Sequence, residues 1–531
     1  MLNLLLFSCA RVGAPNGGTR DSLAPKFLGS NIDTTRLNVS RTVKELRLDF
    51  DEYVMLKDFN KNFNVSPPIK KIKKVIPSNL ANKYVLIQWE DTLQANTTYN
   101  FNFGNAIVDN NESNPLPYFN FAFSTGDKID DLFVSGTVKD AMTLIKENQT
   151  AKDNKMVVGL YKAGENLDYK QKPDYITKVD EENYFELNFL PKGEFVIIAF
   201  DDENQNSVYD AGKEKVSFLK EKITLDSTSA RGLKLKLYPS KKVVKYKESK
   251  AINGGLLMTF EGNPETVEVK SLSEELKDFK VTHAKRSDSV NIWFDAEKSN
   301  LGGNISKQVK LSYFTPTISD TISVSYKAVK EEFKLSNEAG NLIAPENNFV
   351  INTSLPIENL NTSSWKLESD SIAQDFTAKV SEKNPFKILV NSSFKPTKKY
   401  VLTIPKETVS SYYSSNDKSF QFQFEIDKPE NYGSFTAVIK NKPTAKFWVE
   451  LTNEKGEILY SQFTNASEVS FKNLKPATYI ARIRVDNNGN GFWDEADFAQ
   501  NIAAEDVYIF EKEINVRPLW EIKEDWELTN H

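Results

Sequence analysis

The sequence predicts an all-β fold, with tandem β-sandwiches set out as an extended array. Three observations carry that prediction. First, short runs through most of the chain alternate aromatic or branched residues with polar ones. Phe119, Phe121 and Phe123 are one example and Val85, Ile87 and Trp89 another. Period-two alternation of this kind marks strands with one face in a core. Second, long helical periodicity is absent. Third, the chain repeats itself. A shift of 301 places Tyr99 on Tyr400 and Phe119, Phe121 and Phe123 on Phe420, Phe422 and Phe424. A shift of 284 places Leu190, Phe195, Asp202, Asn204, Asn206, Tyr209 and Asp210 on Leu474, Tyr479, Asp486, Asn488, Asn490, Trp493 and Asp494. Repetition of whole blocks marks an array of similar units.

With 531 residues the chain exceeds what one hydrophobic core normally spans, about 250–300 residues. A composition of 39% hydrophobic and 27% charged residues is that of a folded chain. The net charge of −5 gives no electrostatic case for binding nucleic acid. No apolar run approaches the roughly 20 residues that span a bilayer. The single cysteine, Cys9, excludes an internal disulfide and a cysteine-cluster zinc site. There are two histidines, His283 and His531. Triads and Cys–His pairs need a histidine beside other site residues, so only His283 is a candidate, and its plain reading is a strand or turn residue. Carboxylate-only hydrolysis stays open.

Taken in order, residues 1–24 read as a leader remnant and a tether. MLNLLLFS is apolar and stops at Cys9; the stretch 10–24 holds Gly13, Pro15, Gly17 and Gly18 and almost no large apolar side chain, the composition of a flexible leash. Leu6-Phe7-Ser8-Cys9 resembles the lipobox of bacterial lipoproteins, in which the cysteine becomes the lipid-carrying N-terminus. Phe7 is bulkier than that pattern favours, and a basic n-region is missing. The resemblance implies membrane attachment through Cys9. The alternative is an ordinary buried strand with a free thiol.

Residues 25–126 hold short strands separated by Asn, Asp, Pro and Gly, a sandwich pattern. Asp51-Glu52-Tyr53-Val54, Thr97-Thr98-Tyr99, Ala106-Ile107-Val108-Asp109 and the closing Phe123-Ser124-Thr125-Gly126 resemble the SbsA-type bacterial Ig-like domain. Residues 131–238 form a second block, whose Leu190-Pro191-Lys192-Gly193-Glu194-Phe195 turn resembles the prealbumin-like or carboxypeptidase-regulatory-like sandwich. Neither resemblance implies catalysis. Residues 239–330 suggest one further β module. Residues 331–428 repeat the first block and 432–518 the second; the tail 519–531 keeps Trp520, Ile522 and Trp526 to cap a sheet or meet a partner.

The repeated Asp/Asn loops are the candidate site. Asp486, Asn488, Asn490 and Asp494 stand at positions 1, 3, 5 and 9 of a loop with Gly491 at position 6 and Asp497 at position 12. That spacing is close to one that wraps oxygen ligands round calcium. Asp202, Asn204, Asn206 and Asp210 have the same offsets. In that loop Ser207 replaces the glycine, Lys213 stands at position 12, and Glu214 follows as a compensating carboxylate. The alternative is an Asx-rich turn without an ion. Trp493 and Tyr209, beside the loops, invite a carbohydrate-stacking reading, although their matching places favour plugs for their own loops.

The pattern as a whole resembles envelope lipoproteins of the Bacteroidota type. It implies a non-catalytic outer-membrane lipoprotein with a structural or binding role. A carbohydrate- or protein-binding accessory subunit of an outer-membrane complex is the second reading and a carboxylate hydrolase the third. The expected partners are the membrane, through lipidated Cys9, and an envelope protein or glycan.

Overall fold

The computed structural model describes residues 21–144, 155–164, 168–329, 331–338 and 340–528. Cys9, residues 10–20 of the tether and His531 lie outside the described residues. Among the described residues strands hold 51% and helices 2%, so the all-β expectation stands. Among the described residues the longest helical piece has four residues, Phe59–Asn62, and none is long and apolar enough to cross a membrane.

The chain divides into two compact units. One contains Met1–Lys139, Gln149–Asp210 and Val216–Leu237; the other contains Tyr238–His531 with Asp140–Asn148 and Ala211–Lys215. Two hydrophobic clusters lie in the first unit, one built from Ile32 to Phe123 and one from Leu132 to Leu237. Three lie in the second, centred on Leu256–Tyr326, Phe333–Ile426 and Phe435–Leu528. Each is the filling between two sheets whose inward side chains alternate with outward polar ones. In Tyr99, Phe101, Phe103 and in Leu46, Leu48, Phe50 every second residue is buried, as strand geometry requires.

The repeats in sequence are repeats in topology. In the first cluster the strands run Phe27–Ser30, Glu45–Leu56, Asn82–Trp89, Ile72–Ile76 across one sheet and Asn64–Ser66, Thr98–Gly104, Phe119–Ser124 across the other. Around the Phe333–Ile426 core the order is Leu335–Asn337, Phe349–Thr353, Asn384–Ser392, Phe376–Ser381, facing Lys366–Ser369, Lys399–Ile404, Phe420–Ile426. These are the same neighbours in the same sequence, the second sheet gaining an edge strand at each end, Ile372–Ala373 and Leu342–Ile343.

The Leu132–Leu237 and Phe435–Leu528 cores also agree. Strands Gly193–Asp201 and Ala477–Val485 sit at the centre of their sheets, 284 residues apart. Each pairs on one side with Met156–Lys162 or Phe447–Thr452 and on the other with two short strands. The tail forms the strand Glu521–Glu527, which pairs in parallel with Gly433–Lys440 and buries Trp526 in the core. Thus the tail caps its own sheet.

Candidate functional site

Both Asp/Asn loops begin where a central strand ends. Alternation drives Ala477–Val485 through the core, and the next residue, Asp486, is buried with its carboxylate turned on the loop. Its Oδ1 accepts the Asn490 N–H and its Oδ2 the Gly491 N–H, both at 3.0 Å. Asn488 Oδ1 accepts the Asn490 N–H at 3.0 Å, and Asn490 Oδ1 accepts the Phe492 N–H at 2.8 Å. The amides of Asn488 and Asn490 donate to Asp494 Oδ2 at 2.5 and 2.7 Å.

The first loop repeats this network bond for bond. Asp202 accepts from the N–H groups of Asn206 and Ser207, Asn204 from Asn206, and Asn206 from Val208. Asn204 and Asn206 donate to Asp210 Oδ2 at 2.6 and 3.4 Å. The sequence spacing therefore brings its four shared positions together in both copies.

Asp497 is placed elsewhere. Its carboxylate caps the short helix Phe498–Gln500, accepting the Gln500 N–H at 3.2 Å, and its backbone pairs with Ile502. The carboxylate that joins the second loop is Glu505. Its Oε1 accepts the Asn488 N–H at 3.1 Å and its Oε2 the Asp494 N–H at 2.9 Å. The signal for it was in the other copy. Glu214 stands two residues before the strand Val216–Phe218, as Glu505 stands two before Val507–Ile509, and both are buried. Six positions separate Asp210 from Val216 and thirteen separate Asp494 from Val507. The seven additional residues displace the glutamate from the spacing searched.

That longer segment is also what docks. Ala496 donates its N–H to the Pro239 carbonyl at 3.1 Å and accepts from Lys241 N–H at 2.8 Å. Arg286, far away in sequence, donates from Nη1 to Asp494 Oδ1 and from Nε to Glu265 Oε1, both at 2.6 Å. Its guanidinium also lies 4.7 Å from the Phe492 ring centroid, a favourable cation–π distance. All of these residues belong to the second unit. The first and last cores of that unit are therefore clasped through the loop.

The titration behaviour follows from this geometry. Burial alone would raise the Asp494 carboxyl, but hydrogen bonds from Asn488, Arg286 and Asn490 and the Arg286 charge hold it below its ordinary value. Glu265 is likewise pushed up by burial and brought below its ordinary value by Arg286. Glu505 is raised, because burial, helped by the Asp494 charge, outweighs its backbone donors. Two carboxyls displaced in opposite directions can mark an acid–base pair. Here the Glu505 oxygens face backbone N–H groups and the Asp494 oxygens face Arg286 and two amides, an arrangement for holding a loop.

The donor set at the second loop is all oxygen, with carboxylates at Asp486, Asp494 and Glu505, which suits a hard cation such as calcium. Among the described residues no group of three or more His, Cys, Asp or Glu is arranged to hold a metal. A cation here would lean on amide and backbone oxygens as well, and Arg286 competes with it for Asp494.

The loop aromatics plug their own loops. Trp493 donates from Nε1 to the Glu505 carbonyl at 3.1 Å, with Arg484 5.8 Å from its ring centroid. Tyr209 is buried, 5.9 Å from Phe200. His283 Nε2 donates to the Ser287 carbonyl at 3.0 Å, a strand-end residue satisfied by its own turn. Sequence reasoning missed one further group. Glu450, fully buried, accepts from both Arg482 and Arg484 and ties the two central strands together on the face opposite the core.

Residues 21–125 match the family described as the bacterial Ig-like domain. No curated protein matches the chain. Among solved structures, the chain is similar over 93% of its length to domains 1–6 of the surface layer protein SbsC, with 67% of that chain covered, 11% identity and a TM-score of 0.16. It is similar over 75% of its length to BcpA, the major pilin subunit of Bacillus cereus, with 99% of that chain covered, 10% identity and a TM-score of 0.14. It is similar over 97% of its length to the Bacillus anthracis TIE protein, with 76% of that chain covered, 11% identity and a TM-score of 0.13. At these scores the likenesses carry no functional argument.

Proposed function

We propose that the chain is a non-catalytic scaffold of the bacterial cell envelope, built of five sandwich modules and tethered to the outer membrane by a lipid on Cys9. The observation that carries the scaffold reading is the closure of both Asp/Asn loops on themselves. The chemistry-bearing side chains that sequence singles out are spent on bracing loops, and one loop clasps a neighbouring core. The bacterial Ig-like match of residues 21–125 agrees with a structural or binding role. Calcium at the loops, in this reading, stiffens them.

The anchor is tested by Cys9→Ser. Multiple acyl chains hold a protein on a membrane where one chain alone does so only marginally. The expected outcome is loss of acyl labelling and release from the membrane fraction. A variant that stays in the membrane fraction with unchanged processing sinks the anchor.

A second reading, a glycan-binding accessory subunit, is favoured by one observation. Half-exposed Trp520, 4.9 Å from the Arg517 guanidinium, lines an open hollow with Thr478 and Asn515. Binding of envelope glycans that Trp520→Ala abolishes would support it.

A further inference from the structure

We infer that the strand Ile458–Thr464 is a self-association edge, which pairs antiparallel with the same strand of a second copy of this chain. The two repeated sandwiches supply the argument, because they treat equivalent edges differently.

In the first copy the edge strand is Tyr175–Lys178. Tyr175 pairs with Leu160 and sits 6.0 Å from Phe195. In the second copy Tyr460 pairs with Leu451 and sits 5.9 Å from Tyr479. Leu160 and Leu451 hold the same register against the central strand, and Phe195 and Tyr479 are repeat equivalents. Tyr175 therefore corresponds to Tyr460, and Ile176 to Ser461.

The first edge is covered. Ile176 donates its N–H outward to the Ser66 hydroxyl at 3.2 Å, beside the strand Asn64–Ser66, and Tyr175, Ile176 and Thr177 are all buried. The second edge ends its sheet, with no strand outside it among the described residues. Ile458, Leu459 and Phe463 are 46%, 48% and 44% exposed.

Its composition says what can cover it. The seven residues ILYSQFT carry no charge. Two other edge strands carry lysine, Lys73 and Lys74 in Ile72–Ile76 and Lys245, Lys247 and Lys250 in Lys245–Ile252, while the uncharged edge strand Phe119–Ser124 has its last four residues buried. Lysine on an edge blocks pairing with another chain, and an uncharged apolar edge invites it. A strand without charge can oppose its own copy with no like charges face to face.

The register follows. Ile176 points its N–H outward, so Ser461 does the same, with Phe463 in the same phase; a register shift interrupts the alternation at Leu459. A twofold axis at Ser461 makes it a hydrogen-bonded pair with Ser461 of the second copy. It sets Phe463 of the second copy beside the irregular Ile458–Leu459 end of the strand. All three exposed apolar residues are then covered by one operation.

The test uses the full chain with Cys9→Ser, which also removes the only native thiol. Sedimentation equilibrium should show a monomer–dimer equilibrium. Ser461→Lys and Ser461→Glu should each weaken it by about tenfold or more, and mixing the two variants should restore a heterodimer. Hydrogen-bonded antiparallel pairs bring Cα atoms to about 5.5 Å, within disulfide range. Ser461→Cys should therefore cross-link on mild oxidation far faster than Leu459→Cys, which lies at the irregular end of the strand. The inference is overturned by a chain that stays monomeric at every concentration. It is equally overturned by a dimer indifferent to both charged variants, or by equal cross-linking at 459 and 461. These outcomes are independent of the anchor.

Discussion

The two Asp/Asn loops share a hydrogen-bond network and differ in what surrounds it. The first, Asp202 to Asp210, is followed by a direct run into the next strand. The second, Asp486 to Asp494, is followed by seven further residues that reach Pro239 and Lys241, and its last aspartate is held by Arg286. The second also has Gly489 and Gly491 at φ 71° and 82°, where the first has Gln205 and Ser207 at φ 58° and 61°. The segment after the first loop also docks, Gly212 donating its N–H to the Ser240 hydroxyl at 2.9 Å; the second copy adds the longer segment and the Arg286 clasp. Four of the six bonds in the second loop run from side chain to backbone and all lie within ten residues, so the network needs no neighbour to form.

The largest expected effect tests whether the two glutamates are equivalent. Glu505→Ala leaves the Asn488 and Asp494 N–H groups without their acceptor. A buried donor left unpaired costs about 1–3 kcal/mol; these two bonds are part-buried, so we expect a loss of about 2–3 kcal/mol in denaturant unfolding of the second unit. If Glu214 has the same part in the first copy, Glu214→Ala destabilises by a similar amount. A near-neutral Glu214→Ala would break the equivalence and leave only the Asp/Asn network in common.

Calcium sharpens the comparison next. Glu505 hydrogen-bonds into the second loop beside Asp486 and Asp494, although the three carboxylates do not converge as a metal cluster; the first loop has Asp202 and Asp210, with Glu214 the equivalent third. More ligand charge strengthens attraction for a divalent ion. Saturating calcium at a hundred times its dissociation constant should raise the stability of the second unit by about 2.7 kcal/mol. The rise should vanish in Asp486→Ala, and the first unit should respond less. Thermal unfolding that ignores both calcium and chelator, with no heat of binding, would leave the Asx-turn reading alone.

The clasp itself is tested by Arg286→Met. Asp494 and Glu265 lose their shared cation in a partly exposed setting, so the expected cost is about 1–3 kcal/mol. Both carboxyls have folded-state pKa values below their unfolded ones. Their contribution is present above the unfolded values, near pH 4, and is lost as pH falls through the folded values. The gap between wild type and Arg286→Met should therefore be full at neutral pH and close below about pH 4. Calcium affinity should rise in the same variant, since the competing guanidinium is gone. A gap that persists unchanged at acid pH would show that Arg286 acts by packing on Phe492 and not through its ion pairs.

Much of this fold was legible because its signals are local. Alternation in Tyr99, Phe101 and Phe103 names the buried face directly, and the shift of 284 carries Gly193–Asp201 onto Ala477–Val485 without a gap. The four loop positions were legible for the same reason, since each bonds within six residues. Glu505 and Arg286 were not. The first is displaced by an insertion, and the second joins Asp494 across 208 positions, with nothing local to announce it. Position 12 misled because that spacing presumes a helix after the loop; here a short capped turn follows, and Asp497 serves the cap.

The smallest expected effect concerns a single methylene hydroxyl group. Ser207 adopts φ 61° where Gly491 adopts φ 82°. A residue with a Cβ in the left-handed region carries about 1–2 kcal/mol of strain. Glycine relieves it but gives the unfolded chain more freedom, which returns about 0.4–1 kcal/mol. Ser207→Gly should therefore stabilise the first unit by roughly 0.5–1 kcal/mol, and Gly491→Ser should destabilise the second by a similar amount. The Ser207 N–H that Asp202 accepts is a backbone group, so the substitution leaves the network intact. Denaturant unfolding with an unchanged slope and a shifted midpoint is the readout. If Ser207→Gly is destabilising, the serine side chain contributes more than its backbone strain costs, and the two loops differ in chemistry as well as in surroundings.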